Sequence, residues 1–248
     1  MPRTAITQAR AAITQARTVA GRRLAVRDMQ NSIVFNASAD KVAWADNAAL
    51  DVTNITIEHW VKITAYDNAF RDLANKWDFS SNANQSYATV LDTSNEFSFY
   101  IRLSDESIFN IDSGFRPALN RWYHLVATFD GSNLKTYVNG VAVGTPVAAS
   151  GDIIIGNSEF HLGTRVNSNL GADMCMPLFR MYGAAATAAQ VADMYYDNKT
   201  FETPVMEMLM TEGSGTSITS TGSYAGVGTM TSVAWTTASP FKPRTAVT

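Results

Sequence analysis

RWYHLVATFDGSNLKTYVNGVAVG, residues 121–144, decides the fold class. Apolar residues recur at alternate positions from Trp122 to Phe129, as on a strand with one face buried. Asp130-Gly131 opens a first turn and Asn139-Gly140 a second. Asn-Gly between two apolar runs is the strongest short-range hairpin signal, because both residues of a type I′ turn need φ > 0. The stretch therefore predicts three consecutive antiparallel strands. Upstream, NITIEHWVKIT (residues 54–64) alternates as cleanly. Ile55, Ile57, His59, Val61 and Ile63 share one face, and Thr56, Glu58, Trp60 and Lys62 the other. Trp60 and Trp122, each in a strong strand, are expected to be largely buried.

Further strands are expected at Ser32–Asn36, Lys41–Trp44, Tyr87–Asp92, Glu96–Leu103, Ile108–Asp112, Asp152–Ile155, Phe160–Thr164 and Met174–Tyr182. Short strands at roughly ten-residue spacing indicate a sandwich or jelly roll. One helix interrupts them in TAAQVADMYY, where Thr187 and Gln190 have the spacing of a capping box. Beyond residue 198 the chain is rich in Gly, Ser and Thr. Met206, Met208, Met210, Val227, Met230, Val233 and Trp235 are apolar enough to add strands to the body rather than form a linker. The expected organisation is an arm (1–30), a jelly roll (31–198), completing strands (199–236) and a tail (237–248).

Composition allows one large β domain with a full core: 248 residues, 46% apolar and 17% charged. No apolar run approaches the ~18 residues of a membrane span. The basic N-terminus has no apolar segment of the kind a secretory signal needs. Cys175 stands alone, in an alternating run that suggests a buried thiol. The net charge of −3 is unevenly placed. Residues 1–27 hold Arg3, Arg10, Arg17, Arg22, Arg23 and Arg27 and no acid, so they carry +6 and the remainder −9. A basic arm on an acidic body suggests a partner for the arm.

ITIEHWVKI, the hairpin block, IIIGN…FHLGTR and PLFRMYGAAATAAQVADMYYD follow one another as in laminin-G-like domains, which this chain resembles over roughly residues 30–235. That family belongs to the concanavalin A-like lectin/glucanase superfamily. The resemblance implies an all-β fold of two antiparallel sheets, with a short helix after the last core strand. Members that hydrolyse polysaccharides carry clustered acids of the form E-x-D-x-E, because two carboxylates must flank the scissile bond at about 5–10 Å. Glu58, Glu96 and Asp130 are isolated, and the adjacent Asp105 and Glu106 would face opposite ways on a strand. The chain is therefore expected not to be an enzyme. His59, His124 and His161 are far apart in sequence and are expected to be packing or hydrogen-bonding residues.

No cofactor is required by this sequence. The resemblance adds a structural Ca²⁺ as a candidate, with oxygens from Asp40, Asp46, Asn167, Asn169 and Asp173. A sugar site needs an aromatic platform, for which Trp77, Tyr87, Tyr100 and Trp122 are the candidates. The arm repeats AITQAR at Ala5–Arg10 and Ala12–Arg17, which puts Ile6 and Ile13 on one stripe beside Arg3, Arg10 and Arg17. PRTAIT at residues 2–7 is echoed by PRTAVT at residues 243–248. These features favour an attachment arm comprising Arg3, Ile6, Arg10, Ile13, Arg17, Arg22 and Arg23, gripping another copy or a shell protein. Nucleic acid is disfavoured because the acidic body would repel it. Two functions remain open. One is a non-catalytic assembly protein displayed on a phage or virus particle, as a capsid decoration or tail component at the virion surface. The other is an extracellular module binding cell-surface glycans.

Overall fold

The computed structural model describes residues 29–241. The attachment arm and the PRTAIT/PRTAVT echo lie outside these residues. The strands in chain order are β1 (Ser32–Phe35), β2 (Lys41–Trp44), β3 (Ile55–Ile63), β4 (Arg71–Trp77), β5 (Gln85–Leu91), β6 (Phe97–Arg102), β7 (Ile108–Asp112), β8 (Trp122–Phe129), β9 (Asn133–Val138) and β10 (Val141–Ala148). There follow β11 (Phe160–Gly163), β12 (Met174–Tyr182), the helix α1 (Ala188–Asp197), β13 (Met206–Met208), β14 (Ser217–Thr219), β15 (Val227–Thr231) and β16 (Ala234–Thr236). They form two antiparallel eight-stranded sheets, as the sequence predicts. Sheet A runs β10-β9-β8-β3-β12-β1-β16, with β13 also on β12; sheet B runs β14-β15-β2-β11-β4-β5-β6-β7.

The deciding hairpins form as expected. Asn139 and Gly140 adopt φ +50° and +80°, the conformation that folds β9 onto β10. Alternation on β3 sends Ile55, Ile57, Val61 and Ile63 into a core shared with Phe97, Phe99, Phe129, Phe160, Phe179 and Trp44. A second apolar cluster (Val126, Tyr137, Tyr182, Val191 and Met194) sits beneath α1 on the outer face of sheet A. The Thr187–Gln190 capping box is present.

The C-terminal segment supplies strands to both sheets, as its scattered apolar residues suggest. Gly228 of β15 lies where a Cβ would collide with the buried Trp44 indole. Asp152–Ile155 forms no strand; Ile153 makes a single bridge to Leu103 and Ile155 is exposed. Strand β4 escapes the sequence pattern because Asp72, Asn75 and Lys76 interrupt its apolar residues, yet all three are buried against remote partners. Trp60 and Trp122 are only half-buried, because both side chains point to the outer face of sheet A. Trp60 stacks on Tyr195 (5.6 Å, 18°), and Lys62 Nζ lies 5.1 Å above the Trp122 ring.

The two ends of the described chain run side by side. Ser239 Oγ donates to Met29 O (2.6 Å), Gln30 Nε2 donates to Phe241 O (3.2 Å), and the Phe241 ring packs edge-on to Trp60 (5.3 Å). Both ends thus leave from the outer side of sheet A.

Candidate functional site

The outer face of sheet B carries the best recognition chemistry. Leu73, Tyr87, Phe97, Phe99 and Ile101 of β4, β5 and β6 turn into the core, whereas Trp77, Ala88 and Val90 form a separate cluster with Tyr100 on the opposite face. The β11–β12 loop folds over this face and brings Arg165 onto it. The Arg165 guanidinium lies 5.9 Å from the Trp77 ring centroid and 5.8 Å from that of Phe79, which is 62% exposed.

Arg165 is fixed from below. Its Nε donates to Asp72 Oδ2 (2.8 Å), its Nη2 donates to Oδ1, and its backbone N–H also reaches Oδ2 (3.3 Å). Asp72 is fully buried. Burial pushes its carboxyl upward, and Arg165 offsets part of that effect. A bidentate fork holds a planar guanidinium in one orientation, which makes Arg165 a rigid platform. At the far end of the strip, half-buried Tyr100 meets Phe70 edge-on (6.0 Å, 70°). Burial, then Asp112 and Asp92, push the Tyr100 hydroxyl up to about 12, so it stays a neutral donor at physiological pH.

Polar groups rim these rings. Asp78 Oδ1 accepts from the Ser80 amide (2.9 Å) and from Asn167 Nδ2 (3.0 Å), and Asn110 Nδ2 donates to Asp112 Oδ1 (3.1 Å). Along this strip Phe79 and Phe70 are exposed and Tyr100 is half-exposed, whereas Trp77 and Arg165 are buried beneath them and hold them in place. Ring faces suit the C–H faces of a pyranose, and amide or carboxylate groups suit its hydroxyls.

Of the expected sugar residues, Trp77 and Tyr100 meet here. Tyr87 does not: it lies in the core, donating to Leu50 O (3.1 Å), with no face free for a ligand. Trp122 is on the other sheet. Sequence reading missed Phe79 and Phe70, which lie outside strands, and the Asp72–Arg165 pair, whose partners are 93 residues apart.

The five expected calcium ligands do not make a common site. The Asp40 carboxylate caps its own turn through the Asn36 and Ala37 amides (2.8 and 3.1 Å). Asp46 binds Lys76 (2.5 Å), and Asn167 turns to Asp78 and Ser80. The Asn169 carbonyl accepts from Arg71 (3.3 Å), and the Asp173 carbonyl from the Thr64 amide (3.0 Å). Among the described residues no group of three or more His, Cys, Asp or Glu is placed to hold a metal ion. Cys175 is buried, and burial pushes its thiol up.

The histidines are separate. His59 Nε2 lies 2.9 Å from Thr89 Oγ1 in the core, His161 bridges Thr164 O (2.8 Å) and Glu159 (2.9 Å), and His124 is 3.2 Å from Glu58. Glu58 is fully buried beneath α1, with Arg180 at 3.4 Å and the Tyr182 hydroxyl at 3.1 Å. Burial alone would raise its carboxyl, but Arg180, His124 and Tyr182 together hold it below its ordinary value. Arg180 also lines a cavity of about 580 Å³ with Phe201, Glu207, Asn198 and Thr221.

No curated protein matches the sequence significantly. Significant structural matches number 285 chains, too many for fold likeness alone to select a function. Among them is the binding domain of Paraclostridial Mosquitocidal Protein 1 (TM-score 0.54, 16% identity, 66% of this chain and 42% of that one). Another is a candidate carbohydrate-binding protein from Bacteroides ovatus (TM-score 0.66, 14% identity, 86% of this chain and 62% of that one). A third is the heptameric SAP-like pentraxin of Limulus polyphemus (TM-score 0.52, 14% identity, 68% of this chain and 82% of that one). The chain spans less than two thirds of the length of the first two. Residues 36–192 match the laminin G-like model of the concanavalin A-like lectin/glucanases superfamily, so the chain belongs to that family.

Proposed function

We propose that this protein is a non-catalytic, lectin-like recognition module that binds a glycan on the outer face of sheet B. The observation that carries this reading is the strip of Tyr100, Trp77 and Phe79 with Arg165 clamped between rings by buried Asp72. The resemblance to a candidate carbohydrate-binding protein supports it at the level of fold. The carboxylates on this face are engaged, Asp72 by Arg165 and Asp78 by Ser80 and Asn167, which favours holding a sugar over cleaving one. A glycan array probed with the full chain tests the proposal. Binding to a subset of glycans, lost in Phe79→Ala, is expected, with no reducing ends released from β-glucans or galactans. An array without a hit overturns the recognition reading, and turnover abolished by a single Asp or Glu substitution overturns the non-catalytic one.

The module's setting is proposed to be a particle surface, a phage or virus capsid or tail, to which its terminal segments attach it. Two observations favour attachment: residues 1–27 carry +6, and residues 29 and 241 lie side by side on sheet A, on the opposite side from the aromatic strip. An anchored sheet A leaves sheet B facing outward.

A further inference from the structure

Asp46, one of the five expected calcium ligands, faces a positive charge. Lys76 projects from β4 into the interior and its side chain is fully buried. Its Nζ lies 2.5 Å from Asp46 Oδ1 and 3.1 Å from Ser158 O, and it donates also to Gly156 O. A fourth oxygen, Asp51 Oδ1, stands 3.3 Å away. An ammonium has three N–H groups. All three are used, and Asp51 Oδ1 is left buried without a hydrogen bond.

The donor set is that of a hard cation: two carboxylates and two backbone carbonyls, all from loops. Asp46 and Asp51 flank the short helical turn Ala48–Leu50 after β2, and Gly156 and Ser158 precede β11. Lys76 therefore ties two distant loops to β4, which is what a structural metal does. Two carboxylates against one ammonium leave the cage with a net negative charge, and a divalent ion has no limit of three directed bonds. The neighbouring Tyr87 hydroxyl registers that field: burial, then Asp51 and Asp46, push it well above its ordinary range.

We propose that the Lys76 ammonium is a built-in replacement for a structural divalent cation, and that the cage of Asp46, Asp51, Gly156 O and Ser158 O is a latent Ca²⁺ site. The family member thus stabilises these loops without metal, and removing the lysine should uncover the site. Lys76→Ala removes both the charge and the chain volume, leaving room for an ion and its waters. Lys76→Met removes the charge but keeps the space filled.

The test is thermal unfolding of the full chain in EDTA and in millimolar CaCl₂, with NaCl of equal ionic strength as control. Wild type is expected to melt at the same temperature in all three. Lys76→Ala should melt several degrees lower in EDTA and recover at least half of that loss in Ca²⁺. Lys76→Met should be destabilised and unresponsive. If Lys76→Ala does not fold in EDTA, the same proposal requires that Ca²⁺ restore soluble, cooperatively melting protein. No recovery in Ca²⁺, or a Ca²⁺ shift of equal size in wild type or Lys76→Met, overturns it.

Discussion

His59 shows how one buried residue sets the response to acid. It sits between Phe97 (5.9 Å) and Phe179 (6.0 Å), with Nδ1 buried and unpartnered. Burial, then His124, lower its pKa from 6.5 to about 3. The folded chain keeps it neutral while the unfolded chain takes up a proton, so stability is lost as pH falls from 6.5 towards 3. Glu58 adds in the same sense: its carboxyl is held below 4.5, so its contribution is present above that pH and vanishes below it. Urea midpoints should therefore fall as pH is lowered from 6.5, and His59→Gln should flatten the upper part of that fall. A wild-type midpoint constant to pH 4.5, or an unchanged slope in the variant, contradicts this. At this scale alternation was a better guide than residue type. It turned His59 inward and Trp60 outward, whereas the expectation that Trp60 and Trp122 are largely buried because each lies in a strong strand failed. Trp77 and Tyr100 were legible as candidates because aromatics stand out, but Tyr87 on the core face of β5 looks no different in sequence.

Elements with local causes could be read from sequence, and those with remote causes could not. The β8–β9–β10 block is fixed by its own turns, and α1 by its own cap. Strand β4 is fixed by Arg165, Gly163 and Asp46, none of them near it in the chain. Local causes give local predictions. Gly140 has φ +80°, and a Cβ there would lie 3.1 Å from Tyr195 Cβ on α1. Gly140→Ala should therefore strain the hairpin and push the helix, costing about 1–3 kcal/mol. Thr187→Ala removes a hydroxyl that accepts from the Gln190 amide (3.3 Å) and should cost about 1 kcal/mol. Both are read from denaturant unfolding; stability equal to wild type for Gly140→Ala would mean that the turn and helix are not coupled as described.

On the proposed function, the whole molecule is a sandwich with one side for attachment and the other for recognition. Fold class was legible because the sixteen strands among the described residues leave a repeated pattern; the site was legible only in part, because the β11–β12 loop brings Arg165 to it from 93 residues beyond Asp72. Removing residues 2–27 should leave the melting curve unchanged, since the body's core lies within residues 29–241, while abolishing attachment in co-sedimentation with the assembly. Replacing Arg3, Arg10 and Arg17 together should weaken attachment in a salt-dependent way. Wild-type occupancy of the truncated chain would make the arm a passive tail. The central claim is that recognition belongs to the outer face of sheet B. It is tested most directly by calorimetric titration of an array-selected glycan into wild type, a Phe79→Ala/Tyr100→Ala variant and Tyr196→Ala, whose ring is exposed on α1 on the other side. The prediction is a loss of at least tenfold, about 1.4 kcal/mol, in the sheet B variant and none in Tyr196→Ala, with both variants still unfolding cooperatively well above the titration temperature. Unchanged affinity in the Phe79→Ala/Tyr100→Ala variant, or a loss in Tyr196→Ala instead, would contradict it.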